Sequence, residues 1–186
     1  MSVVLDEMKT RRSIRKFKPD MVPADVLDQI IEAGTFAANG RGLQSPIIIA
    51  VTNKKMRDKI MEMNRMIGGW EEGFDPFYGA PVILIVLADA SCPTAVYDGS
   101  LTMGNLMLAA HDLGIGSCWI QGRLRTATST DSGTASITTE DYVRECLHFP
   151  EGYKLEAILS LGMPAEEKTP AELSKLPFEK IHYEKF

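Results

Sequence analysis

The sequence has few residues of the kinds that build metal sites and disulfide frameworks. Its 186 residues include 3 cysteines and 3 histidines, and they are scattered, with neither a C-x-x-C nor an H-E-x-x-H pattern. Scattered cysteines in an odd number argue against disulfides, and scattered histidines argue against a structural or catalytic metal. The sequence therefore points away from metalloenzymes and from disulfide-stabilised secreted domains.

Long apolar runs and an excess of positive charge are also missing. No stretch of about 18 uninterrupted apolar residues occurs, so no membrane partner is expected. The N-terminus has no basic-then-apolar signal pattern, so we expect a cytoplasmic protein. The formal net charge of −5 repels polyanions, so no nucleic-acid partner is expected. With 45% hydrophobic residues the chain can bury one core, and we expect a single domain over residues 1–186.

Against this acidic background, residues 11–15 form a basic cluster, Arg-Arg-Ser-Ile-Arg. Arginine suits phosphate because its planar guanidinium donates paired, charge-assisted hydrogen bonds. The cluster therefore indicates a site for one small, multiply charged anion. A solvated charge run beside a helix end explains the same spacing equally well.

Continuous apolar runs predict strands that are buried on both faces. They cover residues 47–52, 82–88 and 155–161, and a further strand is predicted from residue 117. One helix is predicted before the first strand, beginning at Pro23. Two more are predicted between strands, one capped by Asn53 and one capped by Thr138. This order fits an α+β or α/β fold. We expect α/β/α layers around a mixed central sheet of about four or five strands.

Three further segments have a distinctive composition. The predicted helix 98–113 is apolar on nearly every side, so it should be buried all round in a large core or at a subunit interface. Residues 126–139 are rich in Thr, Ser and Ala without periodicity, which predicts a mobile loop. Residues 164–186 carry charges and three spaced aromatic residues, which fits either an arm around a partner or a plain surface segment.

Five segments in order resemble motifs of the nitroreductase-like FMN flavoproteins. They are RRSIRKF at 11–17, AANGRGLQSP at 37–46, GAP at 79–81, GIGSCWIQG at 114–122 and LGMP at 161–164. The tail SKLPFEKIHYEKF, residues 174–186, also resembles that family's closing segment. The resemblance covers essentially the whole chain. It implies a nitroreductase-like α+β fold and an interlocked homodimer with two FMN sites, each built from both chains at the interface.

The resemblance also implies roles for individual basic residues. Arg11 and Ser13 match residues that hold the FMN phosphate, and Arg12 matches a contact to the ribityl–phosphate region. Arg15 matches a basic residue near the N1/C2-carbonyl edge of the flavin, where a cation stabilises the charge of the reduced ring. Lys175 matches a basic phosphate contact near the C-terminus.

The other matches concern the flavin ring. Gln44 matches a glutamine that reaches the polar edge of the ring, and Gln121 with Gly122 matches an acidic residue followed by glycine beside flavin N5. Because Gln121 replaces the acid, the local electrostatics differ from the family pattern. The segment that approaches flavin from the other subunit consists of Ala38, Asn39 and Gly40.

Arg41 departs from the family pattern, because it occupies a substrate-facing position where small polar residues are common. A guanidinium there predicts an acceptor or donor that bears negative charge, such as the 2′-phosphate of NADPH or a carboxylate. An Arg41 side chain that points into water, on a turn between two glycines, is an equally good interpretation. Gly42 and Ser45-Pro46 are further departures, since the family often has Asn and Pro-Trp there.

The function that the resemblance implies is an FMN-dependent oxidoreductase. NAD(P)H would pass hydride to flavin N5, and an electron-poor acceptor (a nitroaromatic, quinone or enone) would take it in a ping-pong mechanism. No catalytic side chain is predicted, because the flavin supplies the chemistry. Two alternatives stay open: a non-catalytic FMN-binding or storage protein, and a specialised relative that dehalogenates a substrate or fragments flavin.

Three other residues that could carry chemistry are better interpreted as structural. Cys118 and Trp119 are expected to be core residues, and His111 is expected to be an interface histidine.

Overall fold

The structure is a computed structural model that describes residues 2–123, 125 and 138–186. Across these ranges the helices are α1 (Val3–Thr10), α2 (Ala24–Thr35), α3 (Lys54–Ile67), α4 (Ala95–Asp112) and α5 (Thr139–Leu147). The strands are β1 (Pro46–Val51), β2 (Val82–Asp89), β3 (Gly116–Ile120) and β4 (Tyr153–Gly162). Most of the predicted loop 126–139 lies outside the described residues.

In the described ranges the strands form a 4-stranded sheet in the order β1-β2-β4-β3. All three neighbouring pairs are antiparallel. We expected a sheet with both parallel and antiparallel strand pairs. In the described ranges the parallel pairing is a single isolated bridge, between Ser13 and Ser117. Apolar runs reveal burial but not direction, because helices that cover both faces make antiparallel strands equally apolar.

Helices cover both faces of the sheet, as the continuous apolar runs predicted. On one face α3 and α5 pack through Ile60 and Val143 against Ile85 of β2. On the other face α2 and α4 pack through Ile30 and Leu106 in the cluster that also contains β2. Every residue of β2 except Asp89 is buried, because successive side chains point to alternate faces and both faces are covered. The expected α/β/α layering is confirmed.

The caps of two helices also follow the sequence prediction. The Asn53 side chain accepts a hydrogen bond from the amide of Met56, 3.1 Å away, at the start of α3. Thr138 and Asp141 form a reciprocal capping box at the start of α5. Such caps satisfy amide groups that the first helical turn leaves without a partner, so these helices begin where their caps lie.

Helix α4 is not buried all round in the single chain, so the core of this chain does not account for all of its apolar side chains, and burial at a subunit interface stays a prediction. Met103 and Leu106 are fully buried, whereas Tyr97 is 70% exposed and Leu101 is 49% exposed. The sequence could not separate burial in a core from burial at an interface, because both need the same apolar side chains. An exposed apolar face on α4 is a surface of the kind that marks a protein–protein interface.

Two terminal segments add to this apolar surface. Helix α1 has no buried residue, and its apolar side chains are 51–67% exposed: Val3, Val4, Leu5 and Met8. The segment after residue 166 is exposed throughout. Its large apolar residues are Leu173, Leu176, Phe178, Ile181, Tyr183 and Phe186. In one protomer the C-terminal segment therefore covers little of the core.

Candidate functional site

The arginine cluster lies beside β3. Helix α1 ends at Thr10, and the chain then runs extended, so that the Ile14 amide donates to the Ser117 carbonyl over 2.9 Å. A second bridge joins Phe17 to Pro164 after β4. The tertiary structure thus brings three of the five sequence motifs together at one end of the sheet.

Arg11 carries the clearest sign of a ligand. Its Nη1 atom is buried, and no described residue accepts a hydrogen bond from it. Buried charged donors almost always have partners, since leaving one unpaired costs about 1–3 kcal/mol or more. A cavity of about 370 Å³ opens here, lined by Arg11, Arg12, Ser117 and Lys168 and also by Glu166 and Glu167. The Glu166 carboxylate already pairs with Lys168 and with the Arg15 amide, which leaves Arg11 and Arg12 as the groups available to an anion. A phosphate at this position would satisfy the guanidinium, so the residues present fit an anionic group.

Ser13 and the guanidiniums of Arg11 and Arg15 gather around one buried thiol. Burial raises the pKa of Cys118 above its ordinary value. The positive charges of Arg15 and Arg11 and the Ser13 hydroxyl oppose that rise without cancelling it. The thiol therefore stays neutral near pH 7, which agrees with its interpretation as a core residue and not a nucleophile.

Two arginines of the cluster contact the C-terminal segment or a neighbouring ring. Arg12 donates from Nη1 to the Thr169 carbonyl oxygen over 2.8 Å. The Arg15 amide donates to the Glu166 carboxylate over 2.6 Å, and its guanidinium lies 5.9 Å from the centre of the Tyr78 ring. The start of the C-terminal segment is thereby tied to the cluster.

Lys175 is not brought to the cluster in one protomer. Its Nζ atom pairs with Glu172 over 2.8 Å on the exposed C-terminal segment. Within the described ranges no hydrogen bond or ion pair joins it to residues 11–15. The structure thus gives this predicted phosphate contact no local support.

At the other end of β3, Gln121 borders an aromatic cavity of about 250 Å³. The Trp119 indole donates to the Gln121 side-chain oxygen over 3.3 Å, and the Arg125 guanidinium stacks 4.6 Å above the Trp70 ring. The full lining is Trp70, Phe74, Pro76, Tyr78, Trp119, Ile120, Gln121 and Arg125. From Ser117 to Gln121 the chain advances about 13 Å, so the arginine cluster and a cavity lined by aromatic and polar side chains lie along the same strand.

Sequence reasoning missed this aromatic wall. We expected Trp119 in the core, whereas it is half-buried and lines the cavity. The spacing of Trp70, Phe74 and Tyr78 was the available signal. Their rings stack in sequence, with centroids 5.4 Å and 6.4 Å apart.

The turn after β3 is fixed by close packing and by one buried ion pair. A Cβ on Gly122 would lie 2.8 Å from the Leu155 Cδ2 atom, so only glycine fits. Arg123 donates to the buried Glu156 carboxylate over 2.9 Å. Burial raises the pKa of Glu156 and Arg123 opposes that rise. The turn that carries Gln121 is therefore held from both sides.

The second motif, residues 37–46, forms a tight turn against the start of α4. The Asn39 side-chain oxygen accepts from the Gln44 amide over 2.9 Å. Gly40 donates its amide to Asp98 over 2.9 Å. Ala38 and Arg41 are exposed, and Arg41 has a left-handed backbone with φ 56°.

The first and second motifs lie at opposite ends of α4. Gly40 contacts Asp98 in the first turns of the helix, whereas His111 in its last turn lies 2.9 Å from the Thr10 hydroxyl, next to Arg11. Thirteen residues of helix span about 20 Å. One protomer therefore does not bring Asn39 and Gly40 to the arginine cluster.

Two further findings concern the chemistry that the described residues can support. No three His, Cys, Asp or Glu side chains among them lie close enough together to hold a metal ion. No helix in the same ranges has the length and apolarity that crossing a membrane requires.

The chain is similar to known proteins over nearly its whole length. Residues 8–163 match the model of the Nitroreductase family. A protein of Methanothermobacter thermautotrophicus, named as a candidate NADH dehydrogenase/NAD(P)H nitroreductase, is 31% identical over 195 residues, which are 98% of this chain and 87% of the relative. An FMN-dependent nitroreductase from Clostridium difficile R20291 superposes with a TM-score of 0.84 at 32% identity, covering 98% of this chain and 99% of the other. A nitroreductase with bound FMN from Bacteroides fragilis NCTC 9343 superposes with a TM-score of 0.76 at 27% identity, covering 95% of this chain and 98% of the other.

Proposed function

The chain belongs to the nitroreductase family, and from this premise we propose that it is an FMN-dependent oxidoreductase acting as a single FMN-binding domain over residues 1–186. It takes hydride from NAD(P)H and delivers it to an electron-poor acceptor such as a nitroaromatic, a quinone or an enone. The observation that carries the proposal is the buried Arg11 Nη1 atom, which has no hydrogen-bond partner among the described residues. The FMN in the names of two structural relatives supports the identity of the anion.

In this proposal the arginine cluster holds the phosphate end of FMN. Arg11 donates from its buried Nη1, Ser13 is bridged to Ser117 of β3, and Arg12 lines the cavity. Both guanidiniums offer charge-assisted hydrogen bonds, which are roughly twice as strong as neutral ones. Lys175 is proposed as a further phosphate contact on the family resemblance alone.

The other end of β3 serves the ring. FMN, when bound, supplies the atom that accepts and releases hydride. Arg15, stacked near Tyr78, contributes positive charge at the N1 edge. The family resemblance would place the main chain at Gln121 and Gly122 beside N5, and the half-buried Trp119, which lines the same cavity as Gln121, would exclude water from that side. Ala38, Asn39 and Gly40 complete the ring site from the other subunit, and Arg41 faces the substrate. Gln44 comes with them, because its amide donates to the Asn39 side chain within the same turn.

A homodimer follows from the same proposal. The second motif lies about 20 Å from the arginine cluster along α4, so a second copy is needed to supply it. The exposed apolar side chains of α1, α4 and the C-terminal segment give that copy a surface to bury. One interface would therefore cover the apolar surface and complete two FMN sites at once.

The direct test is spectroscopic. The purified protein should be yellow with an absorbance maximum near ~450 nm, and anaerobic NADH or NADPH should bleach it. Adding a nitroaromatic or a quinone should restore the colour without a third component, as a ping-pong mechanism requires. A yellow protein that neither nucleotide bleaches would identify a binding or storage protein instead, and a colourless protein that takes up no FMN would overturn the proposal.

Complementation tests whether each site uses both chains. Arg11→Ala damages the phosphate half of a site, and Gln44→Ala damages the other half. If the halves come from different chains, a mixed dimer of the two variants contains one intact site and one doubly damaged site. Mixed dimers isolated after co-expression should then bind FMN at about one site per mixed dimer. Mixed dimers that bind no more FMN than either variant alone would refute a two-chain site.

A further inference from the structure

Asp98 is a buried carboxylate that the flavin chemistry does not explain. It is 2% exposed, in the first turns of α4. Its Oδ1 atom accepts from the Gly40 amide over 2.9 Å. Its Oδ2 atom accepts from the Ser45 hydroxyl over 2.8 Å and from the Thr94 hydroxyl over 3.0 Å. The two oxygens therefore bind opposite ends of the segment 40–45.

We propose that Asp98 is a positioning residue that clamps the segment 40–45 into the conformation in which it completes the flavin site of the partner subunit. The inference rests on the proposed function, because that function assigns this segment to the partner's ring site. Asp98 itself lies inside its own protomer and acts through Gly40 and Ser45. Its effect on the reaction is thus indirect.

The segment needs a clamp because its backbone is unfavourable by itself. Arg41 and Gln44 have φ values of 56° and 51°, in the left-handed region that side chains with a Cβ rarely adopt. Gly42 between them has φ 68°. Such conformations persist only where surrounding contacts over-determine them, and they cluster at functional sites. In the described ranges the bonds to Asp98 join the two ends of this strained turn.

The local packing requires the carboxylate at this place. A Cβ on Gly40 would lie 2.1 Å from the Thr94 Oγ1 atom, so glycine lets the turn approach the helix closely. The N-terminal turns of α4 favour a negative charge through the helix dipole. Burial raises the pKa of Asp98. The hydrogen bonds from Ser45, Gly40 and Thr94 together lower it by more than burial raises it, so the pKa lies below its ordinary value. The clamp is therefore ionised at neutral pH.

Proteolysis of the apo protein tests the clamp without flavin. Arg41 is an exposed trypsin site inside the segment, so a looser turn should be cut faster after Arg41. Asp98→Asn and Ser45→Ala should raise that rate several-fold relative to other trypsin sites. Asp112→Asn makes the same chemical change at an exposed position in the last turn of α4 and should not raise it. Equal cleavage rates in all the variants would overturn the clamp.

The holoenzyme tests whether the clamp positions the site. Asp98→Asn and Ser45→Ala should remain dimeric by light scattering and keep the Kd for FMN within a few-fold, because the phosphate contacts are untouched. Both should change the visible circular dichroism of bound FMN and lower kcat several-fold. Faster cleavage after Arg41 with an unchanged flavin spectrum and kcat would show a purely structural role and overturn the inference. Wild-type protein that binds no FMN would overturn the proposed function and the positioning role together, whereas the cleavage comparison would still decide whether the clamp exists.

Discussion

Replacing Arg11 by alanine should separate FMN affinity from folding. In the apo protein the Arg11 Nη1 atom is buried without a hydrogen-bond partner among the described residues, so it contributes a desolvation cost and no bond. Removing the guanidinium should therefore leave the free energy of unfolding of the apo protein unchanged or slightly higher. The same substitution should weaken FMN binding, because the phosphate loses its buried donor.

The size of the effect follows from the bond that is lost. A hydrogen bond to a charged group contributes about 1.5–3 kcal/mol. At 1.4 kcal/mol for each tenfold change, the Kd for FMN should rise roughly 10- to 140-fold. FMN at 100 times the wild-type Kd stabilises the wild type by about 2.7 kcal/mol, and after a 100-fold loss of affinity it would stabilise the variant by only about 0.4 kcal/mol.

Fluorescence titration of FMN and urea unfolding with and without FMN measure both quantities. Lys9→Ala is the matched control, because it removes one positive charge from an exposed position two residues upstream. Lys9→Ala should change the Kd far less than Arg11→Ala, since long-range attraction is screened by salt. Full FMN occupancy of Arg11→Ala after dialysis, or an equal effect of Lys9→Ala, would refute the assignment of Arg11 to the phosphate.

Three further predictions address other parts of the molecule. Arg41→Ala should raise the KM for an anionic ligand several-fold and leave the flavin content unchanged. The anionic ligand is either NADPH, with NADH as the comparison, or a carboxylated nitroaromatic, with a neutral nitroaromatic as the comparison. If the substitution changes none of these KM values, Arg41 points into solvent and does not contact the substrate. Cys118 should react with iodoacetamide much more slowly than the half-buried Cys92 in mass-mapped alkylation, because burial raises the pKa of Cys118; comparable rates would contradict this. Thr138→Ala should lower stability by about 1 kcal/mol, seen as a lower urea midpoint at constant m-value. Hydrogen bonds from Thr138 hold the pKa of Asp141 below its ordinary value. The part of the stability loss that depends on Asp141 should therefore be largest above about pH 4, and it should vanish as the pH falls through the lowered pKa. A stability loss that does not change with pH would argue against the capping box.

Local patterns were enough to predict most of the secondary structure. The run at 82–88 lies within β2, and Asn53 and Thr138 cap α3 and α5. Such features depend on residues a few positions apart, so the sequence records them directly. The arginine cluster was equally visible as a candidate anion site, because charge and hydrogen-bonding capacity belong to the residue types themselves.

What the tertiary structure decided depends on contacts between distant residues. No local pattern records the antiparallel order of the strands, the burial of Arg11 Nη1 without a hydrogen-bond partner among the described residues, or the position of the aromatic rings beside Gln121. The bond between Thr10 and His111 joins residues 101 positions apart, and the bond between Gly40 and Asp98 joins residues 58 apart. These contacts place the arginine cluster and Gly40 at opposite ends of α4. Composition specified which groups the chain carries, and packing decided which of them lie together within a single chain.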